Sequence, residues 1–523
     1  MKGTRAHAEA NFDSSRAWSS LIVVIVGTFL SAISATTVSV ALPTIMNVFS
    51  ASLDDVQWIT TAYTLTMAIV IPLTPYLSHV FCSERVYLVA LIVFSVFSVA
   101  CAFSWSLNVM IVFRVLQALG GGMMMPIGMG MVISLFPPSK RGVAFGVFGV
   151  AAMAAPAFGP TLGGYIVEYF GWDYIFFLNV PLGLLSVLLA LRFFTFSPRK
   201  PFPRFDIAGF VSATIGSSLL LYLLGRNEKI DWHDPSYVYM AILGAGAFVF
   251  FVVNEWYARR PLLDLRILRD RNFSLSLLMT IAQMAMMMSV AYTLPVFLQS
   301  FKGLTAMQSG AVLLPSSLVM ALFMPIAGRI SDMAGERGTK WIIGLGIVIT
   351  EACTFWISTL FSVNASLTML IIASSIRNIG LGISMMPART LGLINIHTPE
   401  ASQKATAMSS FIQQYSSSLS IATVTMLITS RLNATYAQST AQLTPFNVPL
   451  TQTISQMTQG FVAQGMSAAD ATTQALQQIV KGIYIDNYVL AIQHTIFTLA
   501  VAGVVALIFV PLFKTHKLAK NRG

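Results

Sequence analysis

The sequence predicts an all-α polytopic membrane protein. Fourteen long apolar stretches alternate with short loops, 56% of the 523 residues are hydrophobic, and only 10% are charged. A chain of this composition cannot provide a water-soluble surface over a globular core. Most of the stretches are long enough to cross a hydrocarbon layer of ~30 Å at ~1.5 Å per residue.

We number the stretches as spans 1 to 14 in chain order. They cover residues 20–42, 56–78, 86–106, 108–136, 142–167, 173–195, 207–225, 237–254, 273–298, 307–331, 341–361, 366–388, 405–430 and 487–513. Span 1 is too long for the core of a signal peptide, and no small-residue cleavage pattern follows it. We therefore expect it to remain as the first membrane helix.

The cationic residues predict the orientation in the membrane. Of the 31 Lys and Arg residues, 24 lie on the side of the N-terminus, mostly in every second loop. By the positive-inside rule, both termini are expected to be cytoplasmic, in a multi-pass protein of the cytoplasmic (inner) membrane. The net charge of +11 then indicates contact with anionic membrane lipids rather than a nucleic-acid partner. Arg114 and Arg377 lie inside spans.

A repeat relates the two halves of the chain. Pro43 is followed 29 residues later by Pro72, and Pro295 is followed 30 residues later by Pro325, at matched topology. We expect an N-terminal six-helix bundle at residues 1–200, an inserted pair (spans 7 and 8) at 201–270, and a C-terminal six-helix bundle at 271–523. Duplicated halves of this kind place a transport site near the midplane, between two bundles that rock.

The C-terminal half also contains a polar extracytoplasmic loop at 432–485. Residues 466–481 within it are expected to form an amphipathic helix that Ser467 caps. The loop is either a solvated connector with a short surface helix or a docking site for a partner.

The sequence lacks several motifs of enzymes and pumps. It contains no phosphate-cradling Gly-rich loop with Lys, no zinc His-Glu-x-x-His and no nucleophile elbow. We therefore expect a protein that is not an enzyme, uses no cofactor or metal, and is driven by an ion gradient. Cys82, Cys101 and Cys353 lack paired spacing, so we expect free thiols.

Four motifs carry a resemblance to a known family. They are Leu42-Pro43, Arg114-Val-Leu-Gln117, Gly159-Pro160-Thr-Leu-Gly163-Gly164 and Asn179-Val-Pro181, in this order along the chain. Together with the span count, they resemble the fourteen-span drug/proton antiporters of the major facilitator superfamily, the EmrB/QacA type. The resemblance implies two six-helix bundles plus two inserted helices and the export of drugs in exchange for protons.

The resemblance gives two of these motifs a role. Gly159, Pro160, Gly163 and Gly164 form the antiporter motif, where missing side chains let helices pack closely; the alternative is a close-packed helix pair without functional meaning. Arg114 is implicated in proton coupling. A buried arginine costs about 2.5 to 3.5 kcal/mol near mid-bilayer, so we expect an acceptor, either Gln117 or a polar residue of span 1. A purely structural pairing is the alternative.

The sequence departs from the family pattern at two places. Ser34 occupies the position in span 1 where the family places a proton-carrying Asp, and a serine cannot titrate in the physiological range. The cytoplasmic turn after span 2 is degenerate, with His79 in place of an Asp, whereas its second copy keeps its pattern. We expect the cytoplasmic gating turn to comprise Gly328, Arg329, Asp332, Gly335 and His79. Either the gating charge has moved to the second copy of the turn, or His79 keeps a pH-dependent version of it.

Another group must then carry protons. Glu351 is the carboxylate placed deep in a span, where burial lets a carboxyl group hold its proton near neutral pH. It is either a coupling residue or a buried structural partner; His494 is a lesser candidate. Further residues on spans expected to line the cavity are Ser34, Tyr63, Gln117, Met124, Gln283, Tyr292, Arg377, Phe411, Gln413, Gln414 and Tyr415.

The sequence therefore predicts a secondary active exporter of small lipophilic or amphipathic compounds, exchanged for protons. With two buried arginines and no acid in span 1, we expect a preference for neutral or anionic amphiphiles. The alternatives are a dedicated exporter of one metabolite (siderophore, fatty acid or peptide-like product) and a non-transporting membrane sensor or scaffold. A periplasmic adaptor is a possible partner if the cell has an outer membrane.

Overall fold

The structure is a computed structural model that describes residues 14–137, 140–196, 205–225, 230, 233–259, 261–362, 365–396, 398–441 and 448–514. The described residues are almost entirely helical and contain no strand. Some of the Lys and Arg residues, among them Lys2, Arg5, Arg226 and Lys229, lie outside the described residues.

Each predicted span coincides with a helix. Spans 1 to 9 are Ser14–Val48, Leu53–Val70, Ser83–Ala102, Leu107–Leu135, Arg141–Tyr169, Tyr174–Phe177 with Asn179–Phe193, Ile207–Gly225, Pro235–Tyr257 and Arg271–Ser300. Span 2 continues through the 3-10 turn Ile71–Leu73 into the helix Thr74–Phe81. Spans 10 and 11 share Ala306–Leu360, and spans 12 to 14 are Leu367–Gly392, Pro399–Ala441 and Ala468–Val504 with Ala506–Phe509.

Eleven helices of the described chain are long and apolar enough to cross a membrane. One of them, Ala306–Leu360, covers two predicted spans, while span 13 is absent from the eleven because its helix is rich in Ser, Thr and Gln. Span 5 is not among the eleven; its helix Arg141–Tyr169 begins with the shorter apolar stretch Arg141–Ala152. The all-helical membrane fold is therefore confirmed, and the count of fourteen crossings stays a prediction.

Gly335 separates spans 10 and 11. Its backbone has φ 66° and ψ −175°, which breaks the helix between them. A positive φ is accessible to glycine at little steric cost. Thr339 closes the turn, since its hydroxyl lies 2.7 Å from that of Ser331.

The inserted pair packs against both halves of the molecule. Trp58 of span 2 stacks on Tyr222 of span 7, with ring centroids 5.6 Å apart. Phe248 of span 8 lies 6.4 Å from the ring of Phe411 and 5.6 Å from that of Tyr415, both in span 13. Phe411 and Tyr415, which the sequence places on a span expected to line the cavity, thus pack against the inserted pair.

The described parts of the predicted extracytoplasmic loop at 432–485 are largely helical. Ser467 accepts a hydrogen bond from the backbone N–H of Asp470 at 3.2 Å, so the predicted cap is confirmed. The helix that it caps is continuous with span 14 up to Val504, and span 13 likewise continues to Ala441. The loop is therefore built largely from extensions of two membrane helices, with Val448–Ala463 between them.

Candidate transport pathway and cytoplasmic gate

Arg114 lies at the centre of a buried polar network in the N-terminal half. The guanidinium donates to the hydroxyl of Ser34 at 3.1 Å and to the side-chain oxygen of Gln117 at 2.7 Å. It also lies over the ring of Tyr63, 4.0 Å from the centroid. All four side chains are at most 1% exposed. Both predicted kinds of acceptor, Gln117 and a polar residue of span 1, are thus in place.

The network extends from Gln117 towards spans 3 and 6. The side-chain amide of Gln117 donates a hydrogen bond to the hydroxyl of Ser98 at 3.0 Å. The same hydroxyl accepts a hydrogen bond from the side chain of Asn179 at 2.9 Å. Every acceptor of Arg114 in this network is neutral. The positive charge is therefore balanced by dipoles and an aromatic ring rather than by a carboxylate.

The glycines of the antiporter motif pack on two different helices. Gly159 and Gly163 face span 1, where a Cβ at Gly159 would collide with Thr36. Gly164 faces the other half, since a Cβ there would lie 2.9 Å from the Cβ of Met307 in span 10. The segment with Gly159, Pro160, Gly163 and Gly164 therefore lets span 5 approach span 1 and span 10 together.

The predicted gating turn joins the two halves of the molecule. The Asp332 carboxylate accepts hydrogen bonds from the backbone N–H groups of Gly142 and Val143, both at 3.0 Å. These are the first N–H groups of span 5, where the helix dipole favours a negative charge. Gly328 is equally close, since a Cβ there would collide with the backbone of Gly142. Arg329 is exposed.

The degenerate first copy of the turn makes a different contact. His79 is half-buried at the end of the helix Thr74–Phe81. Near it, the side-chain amide of Gln403, in span 13, donates to the hydroxyl of Ser83 at 3.0 Å. The contact between the halves at these two turns is thus asymmetric, with a carboxylate in one turn and neutral groups in the other.

Glu351 lies within the C-terminal half. Its carboxylate is buried, and neither oxygen has a hydrogen-bond partner among the described residues. It packs against Gly503 of span 14. One turn further, Thr354 accepts a hydrogen bond from Nε of Arg377 at 2.9 Å, and Arg377 also donates to the backbone oxygen of Met286 in span 9. Glu351 and Arg377 therefore belong to one polar cluster.

The remaining cavity candidates are distributed over several environments. Met124 and Gln283 are fully buried, and the side-chain nitrogen of Gln283 has no hydrogen-bond partner among the described residues. Tyr292 is half-buried at the apolar cluster of the C-terminal half, and Gln414 is half-buried in span 13.

Gln413 instead contacts an arginine that the sequence analysis missed. Arg389 directly follows predicted span 12 and so falls in a predicted loop, but its helix continues to Gly392 and its side chain is 3% exposed. It donates to the side-chain oxygen of Gln413 and lies 3.7 Å from the sulfur of Met129 in span 4. The sequence signal that could have revealed Arg389 is its position within one helical turn of a predicted span end, where the helix can extend further than predicted.

Comparisons with known proteins agree with this geometry. Residues 24–425 match the model of the Major Facilitator Superfamily. The chain is 32% identical to the uncharacterized MFS-type transporter YhcA of Bacillus subtilis, over 96% of this chain and 94% of that protein. It is 28% identical to the multidrug export protein EmrB of Escherichia coli, over 88% and 89% of the two chains.

A solved structure shares the fold. The proton:xylose symporter XylE, a major facilitator protein bound to a bromodeoxyglucose, superposes with a TM-score of 0.59 at 14% identity, over 96% of each chain. This similarity concerns the fold alone. Together with the family match over most of the sequence, it shows that the chain belongs to the major facilitator superfamily, as a transporter of the EmrB/QacA type.

Proposed function

We propose that the protein is a secondary active exporter of lipophilic or amphipathic compounds in the cytoplasmic membrane, with both termini in the cytoplasm. The observation that carries the proposal is the contact of Asp332 with the start of span 5, which joins the two halves at the cytoplasmic end. A transporter of two rocking bundles needs such a contact, formed in one state and broken in the other. The similarity to EmrB, a multidrug export protein, supports the direction of transport.

The exchanged ion is the proton, and Glu351 carries it. A buried carboxylate without a hydrogen-bond partner is costly when ionised, so it favours the protonated form unless a cation approaches. Arg377 is tied to the same turn of span 11 through Thr354. Movement of Arg377 towards or away from Glu351 would therefore drive proton release or uptake. Arg114 takes part by keeping a fixed positive charge in the N-terminal half.

The preferred substrates are neutral or anionic amphiphiles. Arg114 and Arg377 are both buried, and the hydrogen-bond acceptors of both are neutral. In a low-dielectric interior, a fixed positive charge repels a cationic substrate more strongly than it would in water. Equal transport of an organic dication and a neutral drug would contradict this preference.

Two other functions remain distinguishable by experiment. A dedicated exporter of one metabolite would confer resistance to few or none of a broad drug panel. A sensor or scaffold would transport nothing. The contact of Asp332 with the start of span 5 favours a transporter, because an alternating-access transporter has to form and break such a contact. If the cell has an outer membrane, a periplasmic adaptor would bind the extracytoplasmic segment.

Transport in everted membrane vesicles tests the proposal. Vesicles with an acidic interior are given a panel of cationic, neutral and anionic fluorescent drugs, and accumulation inside the vesicles is followed. Accumulation of neutral and anionic compounds that stops when the proton gradient is collapsed supports the proposal. Absence of accumulation for every compound contradicts it.

A further inference from the structure

We propose that Arg389, oriented by Gln413, binds the acidic group of an anionic amphiphilic substrate at the cytoplasmic end of the pathway. This inference rests on the proposed exporter function and names the substrate group and the residue that recognises it. It starts from the position of Arg389, which lies in span 12 of the C-terminal half and contacts Met129 of span 4 in the N-terminal half.

Arg389 has few partners for a buried arginine. Its guanidinium donates to one amide oxygen, that of Gln413, and approaches one thioether at 3.7 Å, a weak acceptor. Its Nε has no hydrogen-bond partner among the described residues. Arg389 forms no ion pair within the described part of the chain.

The other buried arginines differ in this respect. Arg114 has two side-chain acceptors, further backbone oxygens and the face of an aromatic ring. Arg377 donates from all three of its nitrogens. A buried cation without a counter-ion is costly, so the missing acceptors of Arg389 indicate a group that is supplied from outside the chain.

The position of Met129 indicates when that group binds. In this structure, the halves meet at the cytoplasmic end, and Met129 covers the guanidinium from the opposite half. The hydroxyl of Ser410 lies 3.8 Å from the same sulfur. When the halves separate at this end to admit a substrate, Arg389 loses Met129 and its free N–H groups face the entrance. A carboxylate then fits the planar fork of donors in a bidentate manner.

Gln413 is a positioning residue in this arrangement. Its side-chain oxygen holds one terminal nitrogen of the guanidinium, which leaves the other terminal nitrogen and Nε for the substrate. The methionines of span 4 around Met129 provide a deformable apolar surface for the hydrocarbon part of an amphiphile.

The experiment compares two probes that differ only in charge. Purified full-length protein in lipid nanodiscs is titrated with dansylaminoundecanoic acid and with its uncharged carboxamide, by following dansyl fluorescence. Wild type is expected to bind the acid about tenfold more tightly than the amide, a ratio within the range of one charge-assisted bidentate contact. Arg389→Gln is expected to remove this ratio by weakening the acid alone.

A matched control removes a different arginine. Arg141 donates to the backbone oxygens of Ile133 and Phe136, so Arg141→Gln is expected to keep the preference for the acid. Equal affinities of wild type for both probes, or an Arg389→Gln protein that loses both probes equally, would overturn the proposal. If Arg389→Gln is not monodisperse, Arg389→Lys replaces it. A lysine is a point charge and is expected to keep only part of the preference for the acid. A preference as large as that of wild type in Arg389→Lys would contradict the proposal.

The site and the exporter function can fail separately. Neutral drugs that accumulate in vesicles while the acid and the amide bind equally would leave the exporter function in place and overturn the site. A clear preference for the acid in nanodiscs, without gradient-driven transport of any compound, would support the Arg389 site and overturn the exporter function.

Discussion

The carboxylate of Asp332 lies 3.0 Å from the backbone nitrogen of Gly142, and this contact ties the turn between spans 10 and 11 to the first residues of span 5. The corresponding turn of the first half has His79 in place of the carboxylate and reaches span 13 through neutral groups instead. The contact between the two halves therefore includes a carboxylate at only one of the two related turns, and we call this Asp332–Gly142 contact the lock.

Asp332→Asn is expected to loosen this lock. A hydrogen bond to a charged group contributes about 1.5–3 kcal/mol, so its weakening shifts the balance between closed and open states by roughly tenfold or more. Cys82 lies half-buried beside Ser83, in the turn that contacts Gln403 of the other half, whereas Cys101 and Cys353 are buried. Faster labelling of Cys82 by an impermeant maleimide in everted vesicles is the expected result.

The exposed Arg329 provides the control for that measurement. Arg329→Gln changes the charge of the same turn without touching the contact, so labelling should stay at the wild-type rate. Unchanged labelling in Asp332→Asn would show that the carboxylate does not hold the cytoplasmic end closed.

Gly328→Ala is expected to prevent full closure of the cytoplasmic end, because the added methyl group would collide with the backbone of Gly142. Transport should fall strongly, since backbone atoms cannot move aside as a flexible side chain can. Gly246→Ala is the matched control, a helical glycine with nothing within 4 Å of the added Cβ. Similar drug accumulation in both variants would argue against close approach at Gly328.

Ser34→Asp places a carboxylate beside Arg114, whose guanidinium already contacts this side chain. An ion pair at this position would neutralise one of the buried positive charges, so export of cationic drugs should rise relative to neutral ones, by about threefold or more. Ser34→Asn is the control, because asparagine has the size of aspartate without its charge. It should leave the ratio of cationic to neutral drug export unchanged. A cationic-to-neutral ratio equal to that of wild type in Ser34→Asp would contradict the account of substrate charge.

Arg114→Lys is expected to lower both stability and transport, although the charge is kept. The arginine contacts Ser34, Gln117 and the Tyr63 ring at the same time, and an ammonium group cannot reproduce this planar fork. We expect the free energy of unfolding to fall by about 2 kcal/mol or more, as it does when other buried hydrogen-bond networks are broken. Thermal unfolding of the purified protein, followed by size-exclusion chromatography, measures it; a melting temperature equal to that of wild type would sink this interpretation.

Local sequence signals predicted much of the molecule. Gln117 lies three residues after Arg114, which places the two side chains on one helix face, and Ser467 carries an ordinary helix-capping pattern. The apolar stretches predicted the positions of the helices for the same reason, because each signal lies within one short segment. The helix ends were less predictable, as the extension of span 14 back to Ala468 shows.

Contacts between distant segments were not predictable in this way. Arg389 and Met129 lie 260 residues apart in the sequence, and nothing near either residue indicates the other. Phe411 and Tyr415 were placed in the cavity from helix identity alone, yet they pack against Phe248. Which face of a membrane helix meets the pathway depends on rotation about its axis, and hydropathy does not specify that rotation when both faces are apolar.

The most direct test of proton-coupled export is drug-evoked proton release from acid-inside everted vesicles, reported by a quenched pH-sensitive dye, in wild type and Glu351→Gln. Glu168→Gln, at an exposed carboxylate of span 5, is the control. The account predicts dequenching in wild type and Glu168→Gln and none in Glu351→Gln, whose drug binding should persist, because an amide cannot exchange a proton. Dequenching that survives in Glu351→Gln would contradict it.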